Sequence, residues 1–221
     1  MSAVMSKNIF SFLKKLAKNN NREWFNEHKD EYAECQQEFQ NFIEDLISEL
    51  GKHDENIAKI DAKKSLLRIY RDIRFSKDKT PYKIHFGASL GMGKGGENAG
   101  HYLHIEPGKS FIASGIYLPE MPVLKEIRRE INAFPEEFKK VISDKEFKKY
   151  FGELDREHEL KKISQGYEKE NPMADFLRLK SFVGLHQLSD SDVLDKNAVK
   201  NMAEIMKSAL PLTDFLNTPF R

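Results

Sequence analysis

One basic segment of the chain carries the residue types best suited to chemistry. Between Arg68 and His85 it holds six Lys or Arg residues and two tyrosines, but only two acidic residues. Guanidinium, ammonium and phenol groups all donate hydrogen bonds to phosphate or carboxylate oxygens. The composition of this segment therefore predicts that it holds an anion.

The positive charge of this segment is offset by the rest of the chain. From Lys63 to Lys94 there are nine Lys and Arg and two Asp, a local charge of +7. The whole chain of 221 residues has a formal net charge of +1, so the remainder carries −6. Such a concentration indicates either an anionic ligand or pairing with acidic residues of the same chain.

Strand alternation predicts which of these side chains meet, because successive residues of a strand point to opposite faces. A strand over residues 66–75 would be followed by a second strand that starts near residue 83, and each would have one polar face. The side chains that gather on the polar face are the candidate ligand-binding residues: Arg68, Tyr70, Asp72, Arg74, Lys83 and His85. Tyr102, His104 and Glu106 would share one face of a third strand, and Tyr102 and His104 could join this group. Leu67, Ile69, Ile73 and Phe75 would lie on the apolar face.

Arg71 falls on the apolar face of this predicted strand. An isolated buried charge is costly, so the residue must pair or reach water. Glu23 or Asp30 of a preceding helix could pair with it. A one-residue bulge would instead move Arg71 to the polar face.

The sequence leaves three functions open for the basic face. The best-supported hypothesis is binding of a small ligand with a phosphate or carboxylate group. An enzyme could use the same cleft with Asp72, His85 and Tyr70 as acid–base groups. In the third alternative the protein is a non-catalytic interaction protein, and the Arg-rich motif is a structural ion-pair network. Ligand identity and oligomeric state stay open.

Other motifs do not predict a cofactor or a metal. The glycine-rich run from Gly91 to Gly96 lacks the Ser or Thr that follows Lys in a phosphate-binding loop, so we expect a hairpin loop. His101 and His104 lie on opposite faces of a strand, and with His85 they would form a metal site only after a bulge. The sequence therefore predicts neither a metal site nor a cofactor.

Composition places the chain among globular proteins of a reducing compartment. The single cysteine, Cys35, excludes an intrachain disulfide, and no stretch approaches the roughly 20 apolar residues of a membrane span. The first 15 residues lack a signal-peptide pattern. We therefore expect a cytoplasmic protein with no membrane partner.

Hydrophobic periodicity predicts an α+β fold with a single domain over residues 1–221. Apolar residues at helical spacing indicate helices over residues 6–18 and 22–50. Four alternating runs separated by turns predict a central antiparallel β-meander over about residues 66–118. Helices return after Pro119, a further strand is expected at residues 182–188, and the last helix is expected to bend or break at Pro211.

Three motifs give the chain a family resemblance. They are Asn20-Asn21-Arg22-Glu23-Trp24-Phe25, the basic run from Arg68 to Lys83, and Gly115-x-Tyr117-x-Pro119 with Leu124 and Arg128. Together they resemble the domain of unknown function 2461 family, and the resemblance spans nearly the whole chain. It implies an intracellular protein of a mostly bacterial family with fungal members, and it implies no particular activity, cofactor or catalytic residue.

The charge balance predicts that nucleic acid is not a partner. The remainder of the chain carries −6 and would repel a long phosphate backbone. We expect only weak binding of single- and double-stranded DNA and RNA in fluorescence polarisation, lost at physiological salt. Affinity tighter than about 1 μM at that salt would contradict this prediction.

Overall fold

The computed structural model describes residues 3–92 and 97–221. Its helices occur before the sheet, between its third and fourth strands, and at the end of the chain. Their bounds are α1 (Lys7–Lys18), α2 (Arg22–Glu27), α3 (Lys29–Leu50), α4 (Glu55–Ala58), α5 (Ala62–Ser65), α6 (Met121–Ala133), α7 (Pro135–Ile142), α8 (Lys145–Phe151), α9 (Ala174–Leu177), α10 (Asp190–Leu194), α11 (Ala198–Lys207) and α12 (Leu210–Asn217), with a 3₁₀ helix at Thr218–Phe220.

The first two helices begin at side-chain caps. The side chain of Ser6 accepts a hydrogen bond from the backbone N–H of Asn8 at the start of α1. At the start of α2 the side chain of Asn21 accepts one from the N–H of Trp24. These caps satisfy N–H groups that have no partner inside a helix.

The predicted helix over residues 22–50 is wrong at one point, because the chain leaves helical geometry at His28. The ring of His28 stacks on that of Trp24 with centroids 3.9 Å apart, and its Nδ1 lies 2.8 Å from the Trp24 carbonyl oxygen. The apolar periodicity continues across this break, so periodicity alone does not reveal it. The break expected near Pro211 in the last helix is present, with α11 ending at Lys207 and Pro211 in the first turn of α12.

Within the described ranges, four strands form one antiparallel sheet in the order β1-β2-β3-β4. They are β1 (Phe86–Leu90), β2 (Gly100–Ile105), β3 (Ser110–Ile116) and β4 (Phe182–Leu188). The predicted α+β fold with a central antiparallel meander is confirmed. The strand predicted over residues 66–75 is wrong, however, and the fourth strand of the sheet is β4, which follows α9.

Residues 66–75 pair with the chain around β1 only at isolated positions. Leu66 bridges Ala88, and Tyr70 bridges Tyr82. Between the two bridges, the four residue steps from Leu66 to Tyr70 therefore oppose the six steps from Tyr82 to Ala88. This slip of two residues interrupts the ladder and the alternation of faces. Phe75, which was expected on the apolar face, lies beyond both bridges and is 96% exposed.

The chain folds into two compact units, each made of three segments. The first comprises Met1–Leu90, Tyr102–Ile112 and Gln187–Glu204, and the second comprises Gly91–His101, Ala113–His186 and Ile205–Arg221. The single domain over residues 1–221 stays a prediction. The predicted hairpin loop over Gly91–Gly96 falls largely on residues 93–96, which lie outside the described residues.

The core of the first unit forms where α3 packs against β1. The ring of Phe86 lies 5.5 Å from that of Phe39 and 6.1 Å from that of Tyr32. Apolar stripes in the sequence place eight large residues in the core, and across the two units seven of them are buried, while the eighth, Ile73, is partly exposed. The seven are Phe25, Phe39, Phe42, Leu46, Ile69, Phe86 and Leu124.

The core of the second unit centres on Phe138. Its ring lies 5.2 Å from that of Phe176, 5.3 Å from that of Phe215 and 6.3 Å from that of Phe182. Within residues 3–92 and 97–221, no helix is both long enough and apolar enough to cross a membrane.

Phe39 and Phe75 form a matched pair for testing this core. Phe39 is 1% exposed, so Phe39→Ala should lower the free energy of unfolding by about 3–5 kcal/mol, through lost burial and the cavity left behind. Phe75→Ala should change it by less than about 0.5 kcal/mol. Chemical denaturation measures both, and equal losses would contradict the assigned burial.

Gly115 gives a second test, in the second unit. Its φ is +128°, and an added Cβ would lie 1.9 Å from the carbonyl oxygen of Phe182. Gly115→Ala should therefore cost about 3 kcal/mol or more. Gly108 also has positive φ, at +72°, but has open space around it, so Gly108→Ala should cost only about 1–2 kcal/mol in a denaturation experiment. A smaller loss at Gly115 than at Gly108 would be inconsistent with the close approach.

Candidate functional site

The basic segment is attached to the N-terminal helices at Tyr82. The Asn20 side chain accepts a hydrogen bond from the Tyr82 N–H at 3.1 Å and donates one to its carbonyl oxygen at 2.9 Å. The ring of Phe25 stacks on the ring of Tyr82 with centroids 4.0 Å apart. An asparagine side chain thus supplies the pair of bonds that a neighbouring strand would supply.

Tyr82 in turn fixes the residues opposite it. The backbone N–H of Arg71 donates to the carbonyl oxygen of Pro81 at 2.9 Å, and that of Lys83 donates to the carbonyl oxygen of Ile69 at 2.8 Å. The Tyr70 ring lies 5.4 Å from the Tyr82 ring. These contacts hold Tyr70 and Arg71 beside the start of α2.

The guanidinium of Arg71 pairs inside the motif and not with α2 or α3. Its Nη1 donates to the carboxylate of Asp78 and to the hydroxyl and carbonyl oxygens of Thr80. The expectation that Arg71 pairs with Glu23 or Asp30 is therefore wrong. The reason is local: the loop between Arg71 and Thr80 folds back, so that its own acidic residue, Asp78, contacts Arg71.

Asp78 organises this loop. Its Oδ1 accepts a hydrogen bond from the backbone N–H of Thr80 at 2.9 Å. That bond, followed by those from Arg71 and the Thr80 hydroxyl, lowers the pKa of Asp78 to about 2. The carboxylate is therefore ionised at neutral pH and offsets part of the positive charge of the segment.

A cavity of about 320 Å³ opens between α2 and this loop. Its lining combines polar and aromatic residues and consists of Arg22, Asn26, Tyr70, Arg71, Ile73, Pro81 and Tyr82. Within the described part of the chain, Arg22 has no ion-pair partner. The sequence did not predict that Arg22 would be here, since the contact joins positions distant along the chain.

The other predicted ligand-binding residues divide into separate groups. Arg74 pairs with Asp72, its Nε lying 3.0 Å from Oδ1 and its Nη2 lying 2.7 Å from Oδ2. Both side chains are exposed, so solvent screens this pair. Arg68 is exposed as well. Of the six candidates, only Tyr70 lines the cavity beside α2.

Lys83 and His85 belong instead to the polar face of the sheet, which carries a second group of functional side chains. Tyr102, His104 and Glu106 alternate along β2 and beyond its end, as the sequence predicted. The Tyr102 hydroxyl lies 3.0 Å from Nδ1 of His104, and Nε2 of His104 lies 3.1 Å from Oε2 of Glu106. The side chains of His104 and Glu106 are only 11% and 15% exposed.

His85 lies directly over this row. Its ring centroid is 4.1 Å from that of His104. One nitrogen or oxygen atom from each of His85, His104 and Glu106 lies within 4.8 Å of the others. We call this set the His–His–Glu cluster. Sequence alternation placed its members on one face, but the distances depend on the pairing of β1 with β2.

Burial controls the charges on this face. Desolvation, followed by the charges of His104 and Lys83, lowers the pKa of His85 to about 4, so its ring is neutral at pH 7. Desolvation also lowers the pKa of Lys83, and the nearby charge of Arg68 lowers it further. Burial raises the pKa of Tyr102 to about 12, so its phenol keeps its proton.

The fold and these contacts define an α+β protein with a basic, aromatic cavity and a separate His–His–Glu cluster. The family model described as "Conserved hypothetical protein (DUF2461)" matches residues 8–215, so the chain belongs to this family. No curated protein and no solved structure matches the chain.

Proposed function

We propose that the protein binds a small anionic ligand, bearing a phosphate or carboxylate group, in the cavity between α2 and the basic segment. The observation that carries this proposal is that Arg22 and Arg71, from distant parts of the sequence, line one cavity of about 320 Å³. That volume suits a small molecule. Arginine forks match the geometry of phosphate and carboxylate oxygens.

The charges of the two arginines support the proposal in different ways. Arg22 is exposed and has no acidic partner among the described residues, so its guanidinium is available to a ligand. The hydrogen bonds of Arg71 within the described chain all use Nη1, which leaves Nε and Nη2 as donors. Asp78 therefore orients this guanidinium through Nη1 and leaves Nε and Nη2 for a ligand.

Two uncharged side chains supply further donors. The Tyr70 side chain lines the cavity and is 54% exposed. Asn26 is on the wall formed by α2. A hydroxyl and an amide beside two guanidiniums would fix the orientation of a ligand with several oxygen atoms.

This proposal moves the binding centre away from most of the residues that the sequence singled out. The ligand-binding role of Arg68, Asp72, Arg74, Lys83 and His85 stays a prediction. Asp72 already occupies the guanidinium of Arg74 through two hydrogen bonds. That pairing favours a structural role for Arg74.

The enzymatic alternative has less support than binding. Asp72 contacts Arg74, His85 contacts His104, and Tyr70 contacts the aromatic rings of Phe25 and Tyr82. The three candidate acid–base groups therefore have different partners. A general acid and base would need to reach one reacting group within hydrogen-bond distance.

A reducing compartment such as the cytoplasm is part of the proposal. Cys35, the single cysteine, is 2% exposed on α3. Burial and nearby glutamates raise the pKa of its thiol to about 12, so it is a core thiol and not a reactive one.

Arg22→Ala tests the cavity. Isothermal titration calorimetry with inorganic phosphate, pyrophosphate and citrate should find saturable binding to the wild type. A charge-assisted hydrogen bond contributes about 1.5–3 kcal/mol, so loss of Arg22 should weaken binding about tenfold or more. Arg22→Lys should recover only part of the loss, because an ammonium does not bind oxygens in a bidentate way.

Arg74→Ala is the matched control, since Arg74 is a cation of the same motif that does not line the cavity. We expect it to change affinity by less than about threefold. If Arg74→Ala weakens binding and Arg22→Ala does not, the anion lies beside Arg74 and the proposed cavity is wrong. If none of the three probes binds the wild type, the structural alternative replaces ligand binding.

A further inference from the structure

We propose that the His–His–Glu cluster is a binding site for a divalent transition-metal ion of the zinc class, with His85, His104 and Glu106 as ligands. This inference is independent of the anion cavity. It also departs from the expectation of no metal, which considered His85 with His101 and His104 and did not include Glu106.

The geometry comes close to what a metal requires. Ligand atoms at 2.0–2.2 Å from a tetrahedral zinc ion lie about 3.3 Å from one another. Nε2 of His104 and Oε2 of Glu106 are already 3.1 Å apart. His85 offers the third donor atom, and the three donor atoms all lie within 4.8 Å of one another.

His85 also has ring nitrogens that no described residue engages. Within the described part of the chain, its ring nitrogens make no hydrogen bond, although the ring is partly buried against His104. A second imidazole beside a His–Glu pair gains a role when the three side chains share an ion.

The surroundings hold His104 in a ligating orientation. When Nε2 coordinates a metal, the Nδ1–H can donate to the Tyr102 hydroxyl oxygen 3.0 Å away. The Phe111 ring stacks on the same imidazole with centroids 4.7 Å apart. Such outer contacts fix the tautomer and the ring angle of metal-binding histidines. Tyr102 is thus a positioning residue.

The donor set decides the class of ion. Two imidazole nitrogens and one carboxylate suit zinc and neighbouring transition metals, whereas calcium and magnesium prefer oxygen ligands. Three protein ligands leave at least one coordination position for water or another ligand. Lys109 Nζ lies 3.4 Å from Oε1 of Glu106, which leaves Oε2 for the ion.

Titration of the metal alone into the full chain tests the site. After EDTA treatment, calorimetry should find one equivalent of Zn²⁺ that binds tightly, the tight equivalent. Co²⁺ should give the absorption bands of a low-coordinate, nitrogen-bound ion. His85→Ala and Glu106→Gln should each weaken Zn²⁺ affinity by about 100-fold or more, and Tyr102→Phe should weaken it roughly 10- to 100-fold.

His158→Ala is the matched control, because His158 also lies near a glutamate, with Nε2 3.9 Å from Oε2 of Glu157. It should leave the tight equivalent unchanged. Glu106→Gln keeps the side-chain shape, and circular dichroism and denaturation show which variants are folded. The proposal is wrong if the wild type binds no stoichiometric metal, or if folded His85→Ala and Glu106→Gln bind it as the wild type does. Equal weakening by His158→Ala would show adventitious binding by surface histidines and would overturn it too.

Discussion

The position of the basic segment depends on the attachment of Tyr82. The segment lacks a continuous strand ladder, so its backbone needs partners from elsewhere. At Tyr82 the Asn20 side-chain amide supplies both a donor and an acceptor. Its oxygen accepts from the Tyr82 N–H, and its nitrogen donates to the Tyr82 carbonyl oxygen. The stacked ring of Phe25 closes the same contact on the other side. Without this attachment, Tyr70 and Arg71 would not stand opposite Arg22.

The sequence predicted the elements that depend on local apolar patterns. It did not predict the features that depend on how strands pair. The α+β class, the central meander and most of the core follow from periodicity, because a stripe of apolar residues must face the interior. Residues 66–75 alternate like a strand, yet the slip between the Leu66–Ala88 and Tyr70–Tyr82 bridges breaks their ladder. Alternation describes side chains, whereas a ladder also requires a partner in register. Phe75 lies beyond both bridges and is exposed.

The candidate sites were predictable to different degrees. Alternation along β2 placed His104 and Glu106 on one face, and His85 was already assigned to the polar face of the preceding strand. The cavity beside α2 was not predictable, because Arg22 reaches Tyr70 and Arg71 only through the fold. The motif that begins at Asn20 was visible in the sequence, but nothing in its spacing indicated that Asn20 pairs with Tyr82. Arg71 pairs with Asp78 of its own loop and not with an acidic residue of a helix. Nothing in the sequence pattern indicated this pairing.

Alternation from Tyr82 to Phe86 explains how one short run serves two environments. The rings of Tyr82 and Phe86 face the aromatic side chains of α2 and α3, where Phe25 and Phe39 contact them. Lys83 and His85, at the intervening positions, point to the opposite face, and His85 meets His104 there. A register shift of one residue in this run would exchange the two faces, and it would place the Lys83 ammonium and the His85 imidazole in the core. The attachment of Tyr82 by Asn20 therefore sets the register of both faces at once.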